Sequence, residues 1–382
     1  MDNIAGTKSS LIWVVHLSVV ALVALWLFPT VGLLVSSFRT SDQIATSGWW
    51  KAMFPSEQNL TLRADAPEMQ KTIDGLYIIE GQLFEADKET EISVWGISSR
   101  AISDFKAGDT ADLRKGGTIT VQANGAYRME STVPFEGKRG QRVFVTATTP
   151  PEFTFDNYRT VLVAGDSTDN LAKAFFNTLT VTIPATIIPI LIAAFAAYAL
   201  AWMDFPGRAL LIAFIVALLV VPLQLALIPL LRLHLGIGIG KGYVGVWLAH
   251  TGFGLPLAIY LLRNYMVGLP RDIIENARVD GATEFQIFTK IILPLSFPAL
   301  ASFAIFQFLW TWNDLLVSLV FLIDATGETT VMTKQIIELL GTRGGNWEIL
   351  ATSAFVSIAV PLLVFFAMQK YLVRGLLAGS VK

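Results

Sequence analysis

The sequence predicts an all-α polytopic membrane protein of six transmembrane helices, with one small β domain inserted near its start. Three observations carry this. Of 382 residues, 53% are hydrophobic and only 15% charged, with a mean hydropathy of +0.57, a composition that suits the bilayer rather than water. Apolar windows that reach the ~20 residues needed to cross a bilayer core recur along the chain. Between the first two windows, residues 51–150 hold 26 of the chain's 58 charged residues, 14 acidic and 12 basic, which is the mixed-charge surface of a soluble domain.

The windows have sharp edges. Leu11–Phe38, Ala174–Met203, Ala209–Leu231, Gly242–Leu262 and Ile349–Gln369 contain no Asp, Glu, Lys or Arg, and Ile291–Ile323 contains only Asp314. A charge at a helix centre costs roughly 2.5–3.5 kcal/mol on insertion scales, so such windows are selected by the membrane. Lys8, Arg208, Arg263, Arg271, Arg278, Lys290, Lys370, Arg374 and Lys382 flank one side of the spans, against Arg39, Arg232, Lys241, Lys334 and Arg343 on the other. The positive-inside bias predicts both termini in the cytoplasm and residues 51–150 outside the membrane. The first window is far longer than a signal-peptide core and no clear A-x-A site follows it, so it reads as a retained span. The chain then divides into an N-terminal span (1–50), an extracytoplasmic β-rich insertion (51–150) and a core of five spans (151–382).

The composition also excludes functions. A net charge of −2 gives no electrostatic footprint for nucleic acid. The absence of cysteine removes disulfides and thiolate metal sites. His16, His234 and His250 are too scattered for a metal cluster and read as packing residues.

In the insertion, Gly75–Phe84, Thr90–Trp95 and Gln141–Thr146 have strand character. Thr118–Gln122 and Tyr127–Met129 flank Asn124-Gly125, which predicts a type I′ hairpin in a small sandwich or barrel. This domain could contact a solute-binding protein or shield the outer face. In the core, Pro184, Pro189, Pro222, Pro229 and Pro256 interrupt spans where neighbours must pair the freed backbone groups. Gly236–Gly242 resembles a nucleotide loop only superficially, since Leu235 and Gly242 stand where a P-loop needs glycine and Ser or Thr. It reads as a turn. Glu338–Trp347, with Gly341, Gly344 and Gly345, reads as an outer loop.

The stretch Leu269–Pro294 is a polar island between two spans. Pro270 suits a first helical position, and Ile273, Ile274 and Ala277 keep helical spacing to Val279. Asp280-Gly281 breaks the pattern. Thr283 with Gln286 forms a capping box that starts a second helix, which should end before Pro294.

Here the sequence resembles a known family. Glu275-Asn276-Ala277, Gly281, Ile291 and Leu293-Pro294 fall at the spacing of the EAA motif of permease subunits of bacterial ABC importers, with Asn276 replacing the usual alanine. The resemblance implies the type I importer permease fold, and a coupling helix that docks on a separate ATPase through Arg271, Glu275, Asn276, Ala277, Asp280, Gly281, Ala282, Phe285, Leu293 and Pro294. Phe153–Tyr158 resembles the family's F-T-L-x-N-Y segment, which elsewhere follows the first span directly. Asn177–Thr180 and Ala196–Ala201 are similar to its N-[ST]-L and A-A-Y-A-L-A signatures. Trp310–Leu316 resembles the W-N-D/E-L-L run of sugar permeases. An acid two-thirds along a helix beginning near Pro298 should face a cavity, so Trp310, Trp312, Asn313 and Asp314, with Gln224, are candidates for the translocation path. Equally, Asp314 caps a helix break or pairs at a subunit interface. The tail resembles that of the MalG-like member of the maltose-type pair, which implies ATPase contact through Gly375, Gly379 and Lys382.

The resemblance therefore implies a sugar importer permease, within reach of an α-glucoside subgroup with an extracytoplasmic insertion. It implies a second permease, two ATPases and an extracytoplasmic sugar-binding protein as partners. This chain would bind no cofactor, ATP and Mg being used by the ATPases. Importers of other small polar solutes, ion-coupled secondary transporters and membrane receptors are the alternatives. A secondary transporter predicts an inverted repeat with mid-membrane ionisable pairs, and a receptor predicts a cytoplasmic signalling domain.

Overall fold

The computed structural model describes residues 10–84, 90–114, 116–163, 171–323, 326–342 and 346–377. The chain divides into two compact units, Met1–Arg159 with Gly345–Thr352, and Thr160–Gly344 with Ser353–Lys382.

The first unit opens with α1 (Ser10–Ser37), a 28-residue apolar helix whose Leu25 and Trp26 are largely exposed, as suits a lipid-facing surface. After it, Arg39 is buried, and burial lowers its pKa. Its guanidinium donates to the carbonyls of Gln43 and Ser47 at the end of α2 (Ser41–Thr46). The Phe153–Tyr158 segment closes this corner. Asn157, at the start of α3 (Asp156–Leu162), donates to the carbonyls of Ser37 and Arg39, and the Tyr158 hydroxyl bonds Ser37 Oγ. The segment thus pairs the orphan carbonyls that end α1.

Between α2 and α3 lie nine strands: β1 (Ser56–Arg63), β2 (Lys71–Ile73), β3 (Leu76–Gln82), β4 (Glu91–Gly96), β5 (Phe105–Lys106), β6 (Thr110–Asp112), β7 (Thr118–Val121), β8 (Ala126–Ser131) and β9 (Arg142–Thr149). They form two sheets, ordered β1-β9-β4-β5 and β2-β3-β8-β7-β6. Alternate residues of both, among them Ile79, Trp95, Ile119, Met129 and Val145, fill one core, so the arrangement is a sandwich. One turn differs from expectation. At Asn124-Gly125 only Gly125 is left-handed (φ +81°), and its N–H bonds the Gln122 carbonyl, so the hairpin uses a turn with a glycine bulge rather than type I′. The type I′ geometry occurs instead at Asp74-Gly75, where both φ values are positive (+51° and +81°) and Ile73 pairs Leu76.

The second unit contains α4 (Ala172–Trp202), α5 (Arg208–Leu218), α6 (Leu223–Gly236), α7 (Tyr243–Val267), α8 (Arg271–Val279), α9 (Glu284–Ile287), a π-helical turn (Phe288–Ile292), α10 (Leu293–Leu295), α11 (Phe297–Trp312), α12 (Leu316–Phe321) and α13 (Met332–Thr342). The last helix, α14 (Trp347–Leu377), starts in the first unit and continues in the second. Among the described residues four helices are long and apolar enough to span a membrane, or up to six if each of two bent pairs is one span. The window Ala209–Leu231 is not one straight helix. Its halves, α5 and α6, meet at 108°, broken at Pro222, which N-caps α6. Residues 338–342, expected in a loop, belong to α13. The glycine run before α7 is a turn, with Gly238, Gly240 and Gly242 all left-handed.

Small residues let α4 and α7 approach: Ala193, Ala194 and Ala197 share a core with Ala258 and Leu262. In lipid such packing, not hydrophobicity, holds helices together. Prolines add a second device. Pro184 and Pro189 in α4 and Pro361 in α14 lack the N–H that would pair the carbonyl four residues back. Those carbonyls are Thr180, Ala185 and Ser357, and each accepts from a side chain on another helix: Trp247 Nε1 of α7 (2.9 Å), Gln307 Nε2 of α11 (3.1 Å) and Trp312 Nε1 of α11 (3.0 Å). An unpaired buried acceptor costs about 1–3 kcal/mol, so each proline obliges a specific neighbour.

Candidate functional site

The predicted coupling element forms from local rules. Helix α8 ends in a Schellman motif: Gly281 is left-handed (φ +82°), its N–H bonds the Arg278 carbonyl, and the Ala282 N–H bonds the Ala277 carbonyl. The motif glycine is needed because an ordinary residue resists this conformation. Two residues on, Thr283 and Gln286 close the capping box, the Thr283 Oγ1 accepting from the Gln286 N–H and Gln286 Oε1 from the Thr283 N–H.

Helix α8 has two faces. Ile274 is fully buried and Ala277 half-buried in the core that contains Tyr198, Leu262, Ile287 and Phe288. Opposite, Arg271, Glu275, Asn276, Asp280 and Gly281 are exposed, and Arg271 pairs with Glu275 at 3.5 Å. That exposed ion pair contributes little stability. Asn276, the departure from the motif, lies on this outer face and leaves the core untouched. Phe285 is exposed, Ala282 and Leu293 are half-buried, and Pro294 is exposed. Two residues beyond the motif belong to the same surface: Val279 is 86% exposed and Ile273 is also exposed. With Phe285 they set apolar groups among charges.

Glu284, in the first turn of α9, accepts from the Tyr198 hydroxyl of α4 and from Arg278 Nε at 3.0 Å. Arg278 also reaches the Trp202 carbonyl at the end of α4 (3.4 Å), where a cation suits the helix dipole. The Glu284 hydrogen bond raises the Arg278 pKa above its already high value, so this clamp stays charged. Tyr198, Trp202, Arg278 and Glu284 were not among the motif residues, although Tyr198 stands in the A-A-Y-A-L-A stretch whose polar tyrosine was the available signal.

The helix after the capping box does not end before Pro294, as expected. The ladder widens through the π turn, where the Leu293 N–H bonds the Phe288 carbonyl, and this five-residue spacing absorbs the proline. The chain then bends by 69° into α11.

The second group of predicted residues does not converge on one surface. Helix α11 ends at Trp312, so Asp314 sits in a break rather than within a helix. Its carboxylate accepts from the N–H groups of Val317 (3.4 Å) and Ser318 (3.1 Å) at the start of α12, a capping role. His250 Nε2, fully buried, lies 3.6 Å from Asp314 Oδ2, and its ring meets Trp310 edge-on at 5.4 Å. Trp310, His250 and Asp314 are therefore neighbours. Trp312 is buried, stacked on Phe308, with its N–H used on Ser357. Asn313 is exposed and donates to the Leu309 carbonyl, and Gln224 is exposed in the first turn of α6. Gly375 lies within α14, and Gly379 and Lys382 lie outside the described residues.

The geometry is that of a polytopic helical unit with a capped helix–turn–helix clamped to the end of a long apolar helix. Residues 161–377 match the family described as the binding-protein-dependent transport system inner membrane component. The chain is 61% identical over 380 residues to the alpha-glucoside transport system permease protein AglG of Rhizobium meliloti, covering 98% of each. It is 57% identical over 231 residues to the osmoprotective compounds uptake permease protein GgtD of Synechocystis, covering 60% of this chain and 76% of that one. Among solved structures, a bacterial ABC transporter involved in import of the acidic polysaccharide alginate aligns with a TM-score of 0.46 and 23% identity, over 59% of this chain and 81% of that one. The chain belongs to the binding-protein-dependent transport system inner membrane component family. It is a multi-pass permease subunit of an ABC importer and not an enzyme, ATP hydrolysis lying in separate subunits.

Proposed function

We propose that this permease imports α-glucosides as half of a translocation path. Its partners are a second permease, two cytoplasmic ATPases that use ATP and Mg, and an extracytoplasmic sugar-binding protein; it holds no cofactor itself. Both termini lie in the cytoplasm, six spans cross the membrane, with α5–α6 counted as one and the fifth running over Ile291–Ile323, and residues 51–150 form an extracytoplasmic insertion. The sugar assignment rests on the near full-length likeness to an α-glucoside permease, which includes the insertion. The mechanism rests on the α8–α9 element: a stiff lever with Val279, Phe285 and Glu275 outward, clamped by Glu284 and Arg278 to α4. ATPase closure moves this lever and the spans alternate access. Likeness to an osmoprotectant permease supports import of another small polar solute as the second reading.

The test is reconstitution of the complex in proteoliposomes with candidate binding proteins. Maltose, sucrose and trehalose should stimulate ATP hydrolysis and appear in the lumen. Stimulation only by a non-sugar osmolyte would favour the second reading. Val279→Asp, at an exposed site, should leave the melting temperature unchanged while lowering ATPase association at least tenfold; undiminished association would refute docking through this face.

A further inference from the structure

Among the carbonyls freed by prolines inside helices, the three paired by side chains of other helices are not scattered. Two of their donors, Gln307 and Trp312, lie on α11, the helix that continues covalently from the lever through the π turn and the 69° bend. One reaches Ala185 on α4 and the other Ser357 on α14. Gln307 is 2% exposed and Trp312 1% exposed, so neither donor has water as a substitute. The fold also makes room for Gln307. A Cβ at Gly254 of α7 would stand 2.6 Å from its Oε1.

We infer that Gln307 and Trp312 are positioning residues that carry displacement of the lever from α11 into α4 and α14. The physical reason is the difference between two kinds of helix contact. Alanine and leucine surfaces in lipid slide past one another with little change in free energy, since neither helix nor lipid is preferred. A carbonyl whose own helix holds no donor cannot be abandoned in the same way. The donor must move with it, so the register of α11 against both neighbours is held while the lever swings. The proline that frees the carbonyl also removes a ladder bond, which lets α4 and α14 flex at that level. This rests on the reading of α8–α9 as an ATPase-driven lever, but not on which solute is carried.

The chain has no cysteine, so Phe176→Cys on α4 and Leu363→Cys on α14, both exposed, accept spin labels cleanly. The experiment uses the whole complex in lipid nanodiscs and reads the label distance before and after trapping with ATP and vanadate. A distance change is expected in the parent. Gln307→Leu should reduce it by more than half while ATP is still hydrolysed. Pro189→Ala in the same chain gives the Ala185 carbonyl a donor from its own helix. It should restore the melting temperature lost in Gln307→Leu without restoring the distance change. Trp312→Phe, with and without Pro361→Ala, repeats the logic on α14. If Pro189→Ala restores the distance change along with stability, Gln307 only satisfies a carbonyl and the inference fails. It fails equally if Gln307→Leu leaves the change intact. Absence of ATPase association in the parent would instead refute the lever reading itself.

Discussion

The second unit contains two helix–break–helix elements of similar size, and they are built differently. In α8–α9 each backbone N–H from Asp280 to Thr283 finds its partner within a few residues: Asp280 on Asn276, Gly281 on Arg278, Ala282 on Ala277, Thr283 on Gln286. In α11–α12 the N–H groups of Asn313 and Asp314 are paired locally too, on Leu309 and Thr311, but the break is also held from farther away. Asp314 caps α12, Thr333 Oγ1 donates to the Asp314 carbonyl, and Trp312 pairs a carbonyl 45 residues on. A locally closed break fixes its own turn geometry, even where side chains such as Arg278 and Glu284 tie the element to α4. A break closed by distant helices reports on the packing of the bundle.

The largest effect that would break this contrast is at the buried face of the lever. Ile274→Asp places an unpaired charge in the core and should cost about 3–5 kcal/mol, seen as loss of the monodisperse species on size exclusion in detergent. Glu275→Ala, one residue away but exposed, should melt with the parent. If both behave alike, α8 is not seated as described. Next, Trp312→Ala should cost about 3 kcal/mol or more, against about 1 kcal/mol or less for the partly exposed Trp310. Equal losses in thermal melts would remove the distinction between frame and surface. Asp314→Ala should cost about 1–2 kcal/mol through the lost cap, with Asp314→Asn recovering most of it; an Asn variant that melts with parental stability yet transports abnormally would return Asp314 to the path. The smallest effect is Gly281→Ala. Its Cβ meets no atom within 4 Å, so the cost is the left-handed backbone alone, about 1 kcal/mol. A much larger loss would reveal packing at the turn.

What was legible follows the same division. Gly281, the Thr283–Gln286 box and the outward charges of α8 were readable because capping and Schellman rules act over five or six residues. Five strands of the insertion, β3, β4, β7, β8 and β9, were readable from strand-favouring runs between turn residues, while β1, β2, β5 and β6 were not, and the left-handed pair fell at Asp74-Gly75 rather than at Asn124-Gly125. That Trp312 spends its N–H on the Ser357 carbonyl was hidden from the sequence, because an aromatic run looks the same whether or not such a partner stands 45 residues on. The clamp of Tyr198, Arg278 and Glu284 was hidden for the same reason: its members are separated by up to 86 residues.

The amino-acid order alone determined that this chain lives in a bilayer, which windows are apolar enough to cross it, and that a capped helix–turn–helix interrupts them, since hydropathy and capping are short-range properties. Only the tertiary structure decided which helices bend, which side chains serve the carbonyls of Thr180, Ala185 and Ser357, and which of Trp310 and Trp312 is buried. Those outcomes depend on what a distant helix presents at 3 Å, and no local rule contains that.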